Sequence, residues 1–151
     1  MIMRIDAFLR ESPMFAVLHA SRRLDALANA ALAEDDLSFA EGLILTAILF
    51  EEPRPIKPSQ LADTFGTTRG NISHSLSSLE AKGFLQRRID PEDARAYQVT
   101  LRPPGKKCAL RVVGAFDRLQ RIFEREIGKT TLKETLTTIR AIESLAISIR
   151  N

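Results

Sequence analysis

LADTFGTTRGNISHSLSSLEAKGFLQRRIDPEDARAYQVTLRPPG, residues 61–105, decides the fold. Just before it, Pro58 sits at the first position of a short helix, where its missing N–H costs nothing. Leu61, Ala62 and Phe65 are that helix's inward residues, and Gly66 ends it. Thr67 and Thr68 offer an N-cap for a second helix over about 68–81, in which Ile72, Leu76 and Leu79 share a side at spacings of four and three. After Gly83 the period changes from helical to alternating: residues 84–89 and 96–101 read as strands, the second with Tyr97, Val99 and Leu101 on one face. Asp90, Pro91, Glu92 and Asp93 are the expected turn, proline taking the second position of a type I turn. Two helices across a tight glycine turn, followed by a hairpin, make a winged helix-turn-helix.

Charge concentrates in the same stretch. Residues 69–111 hold nine basic and four acidic residues, a net +5, while the rest of the chain has 13 basic and 15 acidic, a net −2. A whole-chain charge of +3 thus conceals a basic middle, the footprint of a phosphate-bearing partner. On the second helix Gly70, Ser73, His74 and Ser77 point away from the Ile72, Leu76 and Leu79 side; all four are small or hydrogen-bonding, a surface suited to a major groove. Arg69, Asn71, Ser73 and His74 are the expected base readers. Arg87, Arg88 and Arg95 bring three guanidinium groups onto a small ribbon that reaches phosphates or a minor groove. With Thr67 and Thr68 these residues form the candidate DNA-binding set. The other reading of the surface is a winged-helix module that assembles proteins and has little use for DNA.

Working outward, Met14, Val17, Leu18, Leu24, Leu27, Ala28 and Ala31 mark a long helix over 14–33. Ser38 and Glu41 form a capping box before a helix over about 39–52. Residues 51–58, EEPRPIKP, carry three prolines and read as a connector. Pro103 and Pro104 start a long helix with Val112, Val113, Phe116, Leu119, Phe123 and Ile127 at helical spacing, ended by Gly128. Thr131 and Glu134 read as a further capping box, with Leu132, Leu136, Ile139, Ile142, Ala146 and Ile149 down one face. The amphipathic end segments, 1–12 and 131–150, present apolar stripes that one small domain is not expected to cover, which points to a homodimer. The expected fold class is mainly α with a small β-hairpin wing, in one continuous domain: N-terminal dimerisation helices over 1–36, a winged helix-turn-helix lobe over 37–102 and C-terminal dimerisation helices over 103–151.

The 151 residues, 44% hydrophobic and 27% charged, suit a folded globular domain and argue against disordered and membrane classes. The longest nearly apolar run, 43–50, is far shorter than the roughly 20 residues of a spanning helix. The N-terminus lacks the pattern of a secretory signal, so a cytoplasmic location is expected. One cysteine, Cys108, excludes an internal disulfide framework and a multi-cysteine zinc site; Lys106, Lys107 and Arg111 beside it are a setting that lowers a thiol's pKa. His19 and His74 are far apart, and no H-E-x-x-H, G-x-S-x-G or P-loop string occurs, so no enzyme, cofactor or metal is expected.

DPEDARAYQVTLRPPG, Asp90 to Gly105, resembles the wing signature of the MarR family of bacterial and archaeal transcriptional regulators. Asp93 and Arg95 stand in its D-x-R positions, Leu101 and Gly105 in its L-T-x-x-G positions. LADTFGTTRGNISHSLSSLEAKGFLQRR is similar to the family's helix-turn-helix. The resemblance implies a homodimer on a near-palindromic duplex site, a recognition helix from Thr68 to Ala81, Arg95 as the wing-tip residue entering a minor groove, and Asp93 bracing the wing through an arginine. It also implies control by a small aromatic or anionic effector held between the dimer helices and the DNA-binding lobe. Two departures stand out: Arg102, Pro103 and Pro104 replace the threonine that caps the following helix, and His74 stands where many members have arginine. The family's peroxide-sensing branch has its cysteine in the N-terminal region, where this chain has none.

Overall fold

The computed structural model describes residues 3–151, which fall into two compact units, one running to Val113 and the other from Gly114 to Asn151. The helix expected over 1–12 is seen as α1 (Arg4–Glu11), its first two residues lying outside the described ones. Then come α2 (Pro13–Leu32), a 3₁₀ turn (Ala33–Asp35), α3 (Phe39–Glu51), α4 (Pro58–Phe65), α5 (Arg69–Ala81), β1 (Leu85–Ile89), β2 (Tyr97–Leu101), α6 (Pro103–Ile127) and α7 (Lys129–Arg150). This is the mainly helical fold with one hairpin that the sequence predicts.

The core of the first unit is built where the helical stripes converge. α3 packs on α2, α5 and β2, α4 on α5 and β2, and α5 on β1. Leu32, Ile44, Leu45, Ile48, Leu61, Leu76, Leu79, Leu85 and Val99 are fully buried in these elements, as is Val112 of α6. The apolar run 43–50 thus supplies the central helix of the lobe. Ser38 starts it as expected: its hydroxyl accepts from the Glu41 amide at 3.1 Å, and Glu41 Oε2 accepts from the Ser38 amide at 2.8 Å.

Three local expectations are corrected. The proline-rich connector also serves as a strand partner: Ile56 donates to Val99 at 3.3 Å and accepts from it at 2.8 Å, pairing the edge of β2 that β1 leaves open. The hairpin's tight turn is not Asp90–Asp93. Ala96 donates to the Asp93 carbonyl at 2.9 Å, so Ala94 and Arg95 are its central residues. Asp90 instead closes the ladder by donating to the Ala96 carbonyl at 2.9 Å, while its Oδ1 accepts from the Glu92 amide at 2.9 Å. The third concerns α7, which begins at Lys129, two residues before Thr131, with Gly128 as its N-cap at φ 96° and no side-chain cap. The expected Thr131–Glu134 box therefore falls inside the helix.

α6 starts at Pro103 without a threonine. Arg102 donates its N–H to the Phe84 carbonyl at 2.9 Å, and its own carbonyl accepts the first helical bond, from Lys106, at 2.9 Å. The same carbonyl explains Gly105: a Cβ there would lie 1.8 Å from Phe84 O, so only a residue without a side chain lets α6 press against the base of the hairpin.

In the second unit, α7 is amphipathic and has no buried residue; Leu136, Ile139, Leu145, Ile147 and Ile149 are exposed.

Candidate nucleic-acid interface

The site begins at the N-terminus of α5. Thr68 caps it, its hydroxyl accepting from the Asn71 amide at 3.1 Å, and the Asn71 side-chain amide donates to the Thr67 hydroxyl at 3.0 Å. Three of the candidate residues are thus engaged with one another, fixing the first turn. Arg69, Gly70, Ser73 and His74 are exposed along the same helix, opposite the buried Ile72, Leu76 and Leu79. Nothing in the fold forces the glycine at position 70, where a Cβ would meet only Thr68 Oγ1 at 3.8 Å.

The far end of the exposed stripe is taken up by the hairpin. Arg87, on β1, donates from Nη2 to the Ser77 hydroxyl at 2.6 Å and from Nε to Glu80 Oε2 at 3.0 Å, and its backbone N–H donates to Glu80 Oε1 at 3.3 Å. Of the three hairpin arginines expected to face a nucleic acid, Arg87 is therefore turned onto α5. Arg88 and Arg95 are exposed, with no intramolecular side-chain partner among the described residues. Arg95 lies in the tight turn at the hairpin's tip. Asp93 holds that turn through the main chain: its Oδ1 accepts from the Arg95 amide at 3.0 Å, in place of the guanidinium brace the resemblance implied.

Two further ion pairs set the lobe's geometry. Lys57, at the end of the connector, places Nζ 2.6 Å from Oδ2 of the buried Asp90, tying the outer end of β1 to the start of α4. The Lys57 ammonium, followed by the Glu92 amide, holds the Asp90 carboxyl below the usual carboxylate range, and Asp90 in turn raises Lys57. At the end of α5, Lys82 Nζ donates to the Asp36 carbonyl and lies 3.2 Å from Oε2 of the buried Glu41. Burial pushes the Glu41 carboxyl up, but the Ser78 hydroxyl, the Ser38 amide and Lys82 together outweigh it and hold the group low.

Sequence reading missed Glu80, Lys57, Asp90 and Lys82 as positioning groups. The seven-residue separation of Glu80 and Arg87 across the Gly83 turn was the one available signal. Two clefts adjoin α5, both touching His74: one of about 490 Å³ reaching Phe39, Leu43, Phe65 and Asn71, and a polar one of about 500 Å³ reaching Asn29, Glu41, Ser78 and Lys82. Cys108 is buried, and its thiol is pushed up chiefly by that burial, not lowered as its basic neighbours suggested. Among the described residues no group of three or more His, Cys, Asp or Glu is placed to hold a metal ion, and no helix is long and apolar enough to cross a membrane.

A capped helix with an open polar face, flanked by an arginine-bearing hairpin, defines a winged helix-turn-helix protein. Residues 35–96, which run from the 3₁₀ turn to the tip of the hairpin, match the model of the MarR family. The HTH-type transcriptional regulator BilQ of Clostridioides difficile (strain CD3) is 18% identical over 108 residues, covering 72% of this chain and 73% of BilQ. Among solved structures, the S. aureus MepR–DNA complex shares the fold at TM-score 0.82 and 17% identity, over 88% of this chain and 97% of MepR. CouR from Rhodococcus jostii RHA1, bound to p-coumaroyl-CoA, shares it at TM-score 0.76 and 19% identity, over 89% of this chain and 93% of CouR.

Proposed function

We propose that the chain is a sequence-specific, duplex-DNA-binding regulator acting as a homodimer on a near-palindromic site. The observation that carries this reading is the 2.6 Å bond from Arg87 to Ser77, which sets the hairpin against the open face of α5. One approach of a duplex then meets both parts. α5 enters a major groove with Arg69, Ser73 and His74 toward base edges, and Gly70 leaves room for the sugar-phosphate backbone. Arg88 and Arg95 reach the flanking phosphates and minor groove. Two such lobes meet successive major grooves roughly 34 Å apart. The structure of MepR with DNA supports the docking mode by analogy. The exposed apolar face of α7 supports pairing of two chains. A cytoplasmic location accords with this role.

A small aromatic or anionic effector releasing the DNA is the regulatory part of the proposal. The clefts beside His74 and Asn71 offer it room, and the ligand-bound structure of CouR supports it by analogy. Such a ligand acts only by binding one spacing of the two lobes better than another.

The test is selection of bound fragments from a random duplex library, followed by gel shifts over a salt series. The expected result is recovery of a two-fold related sequence, bound at least about 10³-fold more tightly than random duplex. Recovery of no preferred sequence, with Arg95→Ala leaving duplex binding unchanged, would favour the protein-assembly reading instead.

A further inference from the structure

We infer that Arg87 is not a DNA contact but a positioning residue: with Glu80 and Ser77 it forms a brace that locks the hairpin to α5 at the angle in which both engage one duplex. The inference rests on the DNA-binding reading above and deepens it. Glu80 sits in the last turn of α5, Arg87 in the middle of β1, and between them lie only the Gly83 turn and the start of the strand. The Glu80 carboxylate takes the Arg87 side chain on one oxygen and the Arg87 backbone N–H on the other, at 3.0 and 3.3 Å. The guanidinium then reaches back one turn of α5 to Ser77. Both ends of the brace are therefore on the recognition helix, and its middle is on the ladder opposite Val99.

Two features separate this role from phosphate binding. Only 23% of the Arg87 side chain is exposed, and its charge already faces a carboxylate, whereas Arg88 and Arg95 are open. The planar fork suits the arrangement: a guanidinium presents Nε and Nη donors in fixed directions, so one group satisfies a carboxylate and a hydroxyl together, which a lysine ammonium cannot do with the same geometry. A half-exposed pair of this kind contributes little to folding, so its value is in direction, not in stability.

The experiment uses the full-length protein and its Arg87→Ala, Arg87→Lys, Glu80→Gln and Ser77→Ala variants. Hydrogen exchange of the β1 and β2 amides is measured on the free protein, and affinity for the duplex recovered by selection is measured across a salt series. Exchange is expected to quicken several-fold in Arg87→Ala and in Glu80→Gln alike, while the buried helix amides keep their protection. Both variants are expected to bind the selected duplex about tenfold more weakly, and a protein carrying Arg87→Ala and Glu80→Gln together is expected to bind no worse than either. The slope of log affinity against log salt should stay unchanged, and Arg87→Lys should fail to rescue. The opposite pattern overturns the inference: a slope reduced by about 0.9 per lost phosphate contact in Arg87→Ala, with tighter binding in Glu80→Gln because an acid beside DNA has been removed. Unchanged hairpin exchange in both single variants also overturns it. Failure of the wild-type chain to select any duplex defeats the DNA-binding reading, and the exchange comparison then still decides whether the brace exists.

Discussion

Gly105 and Asp90 carry consequences out of proportion to their size. A methyl group at position 105 would fall 1.8 Å from the Phe84 carbonyl, backbone that is already bonded to Arg102. Gly105→Ala must therefore push α6 off the hairpin base, and it is expected to destabilise the lobe by about 1–3 kcal/mol, the usual cost of overpacking, read as a lower urea midpoint. Gly70→Ala adds only an ordinary contact with Thr68 Oγ1 in the free protein, so it is expected to leave the urea midpoint unchanged or raise it slightly while weakening duplex binding. For Asp90 the sign of the pH effect follows from its depressed titration. Its pairing with Lys57 is fully present above the ordinary carboxylate value of 3.8 and is lost as pH falls through the lower folded value. Lys57, raised, keeps its contribution below the ordinary lysine value and loses it only as pH rises through the raised one. Thermal midpoints followed from neutral pH down to about pH 2.5 should therefore fall more steeply for the wild type than for Asp90→Asn, the two curves converging at the acid end. Parallel curves would show that the pair does not hold the hairpin.

At the level of elements, Arg87 ties the hairpin to the C-terminal half of α5, and the Thr68 cap fixes the first turn of that helix. Removing the cap with Thr68→Ala is expected to cost about 1 kcal/mol of stability, measured by denaturant unfolding. Removing the tip cation with Arg95→Ala is expected to leave stability alone and to weaken duplex binding about tenfold, with a shallower salt slope in gel shifts. Much of this region was legible beforehand because its signals are local. Gly66 and Gly83 mark real left-handed turns, and the Ser38–Glu41 and Thr68 caps form as read. Pro91 misled the placement of the hairpin turn: its fixed φ suits a turn, but Asp90 and Asp93 each spend a carboxylate oxygen on an amide two residues ahead, which moves the tight turn to Ala94 and Arg95. Thr131 and Glu134 had the right spacing for a capping box and lost to Gly128, which starts the helix earlier. The strand pairing of Ile56 and the inward turn of Arg87 depend on what lies across space, and no periodicity reports that.

At the scale of the whole molecule, the proposed regulator is a pair of chains. α7 buries none of its residues, yet Leu136, Ile139, Leu145, Ile147 and Ile149 sit along it, and α1 and α2 likewise expose Ile5, Phe8, Met14 and Leu18. Apolar faces of this extent mark interfaces. Light scattering at micromolar concentration is expected to give twice the 16.9 kDa chain mass. Replacing Leu136 and Ile139 together by aspartate is expected to give monomers whose affinity for the selected duplex falls by at least about 100-fold. The joint grip of helix and hairpin on one duplex is tested most directly by a photocrosslinking side chain placed in turn at Ser73 and at Arg95, with the attachment points on the selected duplex then sequenced. The expected result is a crosslink from each position, Ser73 to bases within a half-site and Arg95 to the flank beside it, repeated with two-fold symmetry. Crosslinks from neither position, while the duplex remains bound, would contradict the account.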